Sequence, residues 1–180
     1  MEEGRMAKRP RRMIYTLIVA QLLVFASVQA QQVQVFFISP ADPGTRPIVR
    51  LYDEAKERIE VASYVITDLE IAAVLAKTSF RIPVAVLLDE SQVFGNKFSQ
   101  YWKLRDAKTQ IRIMPSKVGQ LTDEFGIIDG RRVYTGSGLL HTDFKASPKF
   151  ANYLILDDRA AVERYVREFE RLFKQSFSSK

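Results

Sequence analysis

The chain's only histidine, His141, precedes Asp143 by two positions and follows Gly136-Ser137 closely. An imidazole held by a carboxylate is equipped to act as a nucleophile or a general base. A surface-loop histidine is the simpler reading of the same residues, and it is the expectation here. Asp123, Glu124 and Asp129 place three carboxylates near one another in sequence, and oxygen ligands of that kind suit a hard cation. Adjacent side chains on an extended backbone point to opposite faces, however, so Asp123 and Glu124 are not expected to share a metal, and no cofactor is implied. Thr122 carries a hydroxyl with no neighbouring base and makes a poor nucleophile. Arg131 and Arg132 read as solvent-facing turn residues rather than phosphate contacts. Gly136 and Ser137 either present donors to an anion or persist because a turn after a strand needs small residues.

These residues must be positioned by alternating short apolar runs and longer helical patterns. Strands are expected over 33–38 (VQVFFI), 60–65, 83–89 (PVAVLLD) and 111–114. The run at 83–89 is almost continuously apolar, as in a strand covered on both faces. Thr45, with Pro47 in the first turn, predicts a helix running to about Arg58. Thr67-Asp68-Leu69-Glu70 matches a capping box opening a helix to about Lys77. Asn96 is expected to open another, through Tyr101 and Leu104 towards Lys108. Phe125–Ile128 and Arg132–Thr135 flank Asp129-Gly130, a strong hairpin signal because both central positions tolerate positive φ. Asn152–Leu156 reads as the last strand. Asp158–Phe177 reads as an amphipathic helix whose stripe is Val162, Tyr165, Val166, Phe169, Leu172 and Phe173. The pattern predicts an α/β sandwich, a mixed β-sheet flanked by helices.

Element order and motif together resemble the phospholipase D superfamily, in its small single-motif nuclease-like branch. The strand–turn–helix opening VQVFFISPADP, the pair IEVASYVITDLEIAAVL and IPVAVLLDESQ, and above all FGIIDGRRVYTGSG (125–138) carry the resemblance. The family signature reads His-x-Lys, four residues, Asp, six residues, Gly-Ser, then Asn. Asp129, Gly136 and Ser137 stand at that spacing, and Asn152 matches an Asn in the following strand. The resemblance implies a phospholipase D-like fold over 33–177 and a phosphodiesterase chemistry. In that chemistry the His attacks phosphorus, a second His from a repeat or dimer partner protonates the leaving oxygen, the Lys neutralises phosphate charge, and the Asp orients the His.

Counting back from Asp129 puts Thr122 at the His position and Glu124 at the Lys position. The Asn expected after Gly136-Ser137 falls at Leu139 or Leu140, and the acidic residue before the strand Asn is Ala151. Replacing Lys by Glu reverses a charge beside the phosphate. One unit pair at 4 Å and an effective dielectric of 20 is worth about 4 kcal/mol, so the change from attraction to repulsion opposes binding before any chemistry begins. The expectation is a degenerate site with no catalytic residue in the family's sense, and with His141 as the one candidate for rescue.

The chain has 180 residues, 47% hydrophobic, and no cysteine, which excludes disulfides and thiolate metal sites. Its formal charge is +6, but residues 1–30 hold five basic and two acidic groups, leaving +3 for the remainder. That remainder does not announce a nucleic-acid binder. The basic run Arg5–Arg12 precedes an apolar stretch from Met13 to Ala30 with small residues at its end. This describes a signal peptide at 1–30, cleaved before Gln31, ahead of a single domain at 31–180. An uncleaved membrane anchor is the main alternative, although Gln21 and a length near the lower limit weaken it. The protein is therefore expected outside the cytoplasm, periplasmic or secreted, or held at the membrane by this segment. Three functions are compatible: a non-catalytic envelope protein retaining the fold for binding or assembly; an active phosphodiesterase on phospholipid or nucleic acid; and a subunit supporting an active related chain. The resemblance implies a homodimer or a hetero-oligomer with such a chain.

Overall fold

The computed structural model describes residues 32–39, 41, 42, 44–138, 140, 141 and 150–179. The expected targeting segment lies outside the described residues, as do Asp143 and Lys145. Among the described residues, no helix is long and apolar enough to cross a membrane.

Among the described residues, eight strands form one mixed sheet: β1 (Val33–Ile38), β2 (Ile59–Ser63), β3 (Val84–Asp89), β4 (Gln110–Met114), β5 (Phe125–Ile128), β6 (Arg132–Gly136), β7 (Ala151–Leu156) and β8 (Phe177–Ser178). Their order across the sheet is β1-β7-β6-β5-β2-β3-β4-β8. The β2–β3 and β3–β4 pairs are parallel; the other pairs are antiparallel. Parallel neighbours need crossover connections, and helices supply them. The helices are α1 (Arg46–Glu54), α2 (Leu69–Thr78), α3 (Glu90–Gly95), α4 (Tyr101–Arg105) and α5 (Arg159–Gln175).

The core divides along the period-2 alternation of the strands. Val84, Val86 and Leu88 of β3 face a cluster that includes Ile48, Leu51 and Tyr52 of α1 and Ile71 and Leu75 of α2. Leu87 joins the opposite cluster, with Phe125, Ile127 and Val133 against Val162, Phe169 and Leu172 of α5. Both faces of the central strands are thus covered, which is why β3 reads as an unbroken apolar run. The sandwich expected from sequence is the observed architecture.

Several boundaries differ from the expectation. Helix α1 stops at Glu54, because Ala55 leaves the helix at ψ 138. The cap of α2 is Asp68 rather than Thr67: its carboxylate accepts from the N–H groups of Glu70 and Ile71, both at 2.8 Å. The helix expected from Asn96 to Lys108 is confined to α4 at Tyr101–Arg105, and α3 at Glu90–Gly95, directly after β3, was not expected. Asp89 caps α3 by accepting from Ser91 N at 2.9 Å, and the Asn96 side chain accepts from Phe98 N at 3.0 Å, forming a turn ahead of α4. Helix α5 ends at Gln175, where Ser176 turns away into β8 and the Arg112 guanidinium of β4 donates to both Ser176 and the Phe173 carbonyl.

Candidate functional site

Residues 121–124 lead into β5 without regular structure of their own. Their path is fixed from below by Asp89, a buried carboxylate that accepts from Leu121 N at 2.8 Å while capping α3. Thr122 is exposed. Glu124 is half-buried, and its carboxylate turns toward the loop after β6, where Oε2 accepts from Gly138 N at 2.9 Å and Oε1 from Leu140 N at 2.8 Å. The position to which the resemblance assigns the family's Lys therefore holds a carboxylate clasped by two backbone N–H groups.

The loop that supplies those amides is itself held on both sides. Ser137 N donates to the Asn152 carbonyl at 3.2 Å, and the Leu140 carbonyl accepts from Thr67 N at 2.9 Å and Asp68 N at 3.1 Å. Gly136 is fixed by packing: a Cβ there would lie 2.4 Å from the Asn152 carbonyl oxygen and 2.6 Å from Tyr153 Cα. Its small size is required by the neighbouring strand, the second of the two readings the sequence left open. Leu140, one of the two positions at which the resemblance expects an Asn, is buried in the core. His141 follows it, half-buried, with its ring 6.4 Å from that of Tyr64. The expected surface-loop histidine is thus packed against the 64–68 turn, because the Leu140 carbonyl ties the loop to that turn.

Beneath Glu124 lies a pair that sequence reasoning missed. The hydroxyls of Tyr52 (α1) and Tyr134 (β6) hydrogen-bond to each other in the fully buried core. Burial raises both phenol pKa values, and the negative charge of Glu124 raises them further; for Tyr52 the bond to Tyr134 partly opposes this. Both phenols stay protonated across the physiological range. No residue-type signal links positions 52 and 134 in the sequence; only the pairing of α1 with the sheet brings them together.

Asp129 sits at the other end of β5. It has φ 55, and with Gly130 at φ 62 it forms the hairpin turn anticipated from Asp-Gly. Its carboxylate accepts from the N–H groups of Lys56, Glu57 and Arg58, the shortest at 2.7 Å from Glu57, while Asp129 N donates to the Arg58 carbonyl at 2.9 Å. Burial alone would raise its pKa, but those three donors and the charge of Arg132 outweigh it and hold the carboxyl below the ordinary aspartate value. The resemblance implies an Asp orienting the residue at the His position; here the carboxylate fastens the α1–β2 connection to the hairpin, away from Thr122.

The remaining candidates disperse. Asp123 faces α5, where burial first and then the charge of Glu168 raise its pKa, partly opposed by Arg171. Asp123 and Glu124 point apart as expected, and among the described residues no group of three or more His, Asp or Glu could hold a metal ion. Arg131 pairs with Glu57 at 2.7 Å on the surface. Arg132, at the opposite end of β6 from Gly136, lines a cleft of about 730 Å³ with Arg46, Arg50 and Asp157. Asn152 is exposed and meets the loop through its carbonyl. The structure therefore brings together Glu124, Ser137, Leu140, His141 and the 64–68 turn, and ties Asp129 to residues 56–58 at the other end of β5.

The family described as "Cardiolipin synthase, PLD-like domain" matches residues 48–173. The chain is 30% identical over 127 residues to a phospholipase D of Rickettsia prowazekii, a match covering 69% of this chain and 60% of that protein. It is 36% identical over 103 residues to the mitochondrial cardiolipin hydrolase of Xenopus tropicalis, covering 57% of this chain and 48% of that protein. It thus spans less than two thirds of either relative's length. The fold is that of Nuc from Salmonella typhimurium, a phospholipase D family member, with a TM-score of 0.72 at 18% identity over 83% of this chain and 99% of that one. A single mixed sheet between two helical layers, the Asp129, Gly136 and Ser137 spacing, and a family match over most of the domain lead to one assignment: the chain belongs to the phospholipase D superfamily, as a PLD-like domain.

Proposed function

We propose that this protein is a catalytically disarmed PLD-like domain of the cell envelope that keeps its fold for binding or assembly. The observation that carries this reading is the clasp on Glu124: the carboxylate takes the N–H groups of Gly138 and Leu140, donors that would otherwise point toward an incoming anion. A phosphate ester approaching that loop meets a negative charge already in place, and the neighbouring Thr122 supplies a hydroxyl with no imidazole behind it. Export rests on the basic and apolar composition of residues 1–30, and pairing as a homodimer or with a related chain rests on the resemblance. A second reading, an active phosphodiesterase using His141, is favoured by one observation: the ring lies at this same loop beside Tyr64.

Hydrolysis of bis-p-nitrophenyl phosphate and of DNA distinguishes the two. The wild type is expected to show no turnover above buffer, whereas Thr122→His with Glu124→Lys restores the imidazole and the cation and gains it. Robust wild-type turnover that disappears in His141→Ala would overturn the disarmed reading in favour of the second.

A further inference from the structure

We propose that the surface built by α3, α4 and the turn between them is a docking patch for a bilayer containing anionic phospholipid. The proposal does not depend on whether the pocket turns over substrate. Phe94, Phe98 and Trp102 are 63%, 56% and 52% exposed, and Phe80, at the end of α2, is 63% exposed. Helix α4 buries Tyr101 and Leu104 and turns Trp102, Lys103 and Arg105 outward. The exposed rings of Phe94 and Trp102 both rest on the buried Tyr101 ring, at 6.2 Å and 4.8 Å between centroids. The patch is also firmly held: Asn96 donates to Gln92 at 3.1 Å, Gln92 to the Tyr64 hydroxyl at 2.7 Å, and Gln100 N to the Ile66 carbonyl at 2.8 Å.

Charge selects the partner. Residues 90–108, from the start of α3 to just past α4, contain Lys97, Lys103, Arg105 and Lys108 against Glu90 and Asp106, four basic and two acidic groups for a net +2. Three of these cations lie over the exposed rings: Lys97 over Phe98 at 5.0 Å, Arg105 over Trp102 at 4.3 Å and Lys108 over Phe80 at 5.5 Å. A ring entering the acyl boundary with a cation left at phosphate level is the arrangement a bilayer interface rewards. Single-stranded nucleic acid would need those ring faces for base stacking, and cations already cover one face of Phe98, Trp102 and Phe80. A second copy presenting the same patch across a twofold axis would oppose like charges. Because Gln92 and Gln100 anchor the patch to Tyr64 and Ile66, docking would set the His141 loop beside the membrane surface.

Trp102 is the only tryptophan, so its emission reports the patch even if residues 13–30 bind lipid independently. With the full chain, vesicles of phosphatidylcholine plus phosphatidylglycerol are expected to shift Trp102 emission to the blue and to quench it through brominated acyl chains, with phosphatidylcholine alone doing neither. Removing two cations in Lys97→Glu with Lys103→Glu lowers that emission-detected partition by roughly 25-fold or more, at about fivefold per cation near an anionic surface. Phe98→Ser weakens it while leaving its salt dependence unchanged. Emission unmoved by anionic vesicles that nonetheless carry the protein down on centrifugation would overturn the proposal. So would an equal response to phosphatidylcholine alone, or an unchanged partition of the double lysine variant.

Discussion

The hydroxyls of Tyr52 and Tyr134 meet each other at the centre of the domain, one from α1 and one from β6. Losing either oxygen alone leaves the other in apolar surroundings, whereas losing both removes the need for a partner. Tyr52→Phe and Tyr134→Phe are each expected to cost about 1–3 kcal/mol, and the double variant distinctly less than their sum. Urea unfolding of the four proteins gives the coupling, and simple additivity would contradict it.

Glu124 leads to a ligand-dependent prediction. In Glu124→Ala the N–H groups of Gly138 and Leu140 lose their acceptor, at a cost of about 1–3 kcal/mol. Phosphate then has two free donors to fill, so it should raise the melting temperature of Glu124→Ala well beyond any effect on the wild type. Equal phosphate effects on the two proteins would show that the amides do not form an anion site.

Asp129 sets an acid limb of stability. Its folded pKa lies below the ordinary value, so its contribution is complete above the unfolded pKa, about 3.9, and is lost as pH falls through the lowered folded value. Asp129→Asn should destabilise the protein at neutral pH and narrow its gap from the wild type on acidification. Thermal melts across that pH range test the sign.

Gly136 has no room for a methyl group, because the obstructing atoms are the backbone of Asn152 and Tyr153. Gly136→Ala should cost about 1–3 kcal/mol, at about 2–4 °C of melting temperature per kcal/mol. A circular-dichroism melt suffices to check it.

What could be read from the chain beforehand was whatever rests on local chemistry. The unbroken apolar run of β3, the Asp129-Gly130 turn and the stripe of α5 each declare their structure through spacing. The choice between Thr67 and Asp68 as a cap was not local: both their N–H groups donate to the Leu140 carbonyl, and that contact directs the Asp68 side chain onto the helix. The late start of α4 at Tyr101 was hidden because Asn96 suits a helix start as well as a turn, and α3 before it was not anticipated. At the site, spacing aligned Glu124 with the family's Lys, an expected charge reversal. It could not identify the partners, since backbone amides leave no mark in residue type.

The first strand has a different consequence. β1 forms the outer margin of the sheet, and Val33 pairs with Leu156, at the opposite end of the domain's sequence. During synthesis it leaves the ribosome before the rest of the domain, yet has nothing to pair with until β7 has emerged. Val33, Val35 and Phe37 remain largely uncovered even after pairing. The earliest strand of the domain is therefore among the last secured, and a nascent chain carries an unpaired apolar strand until β7 has been made.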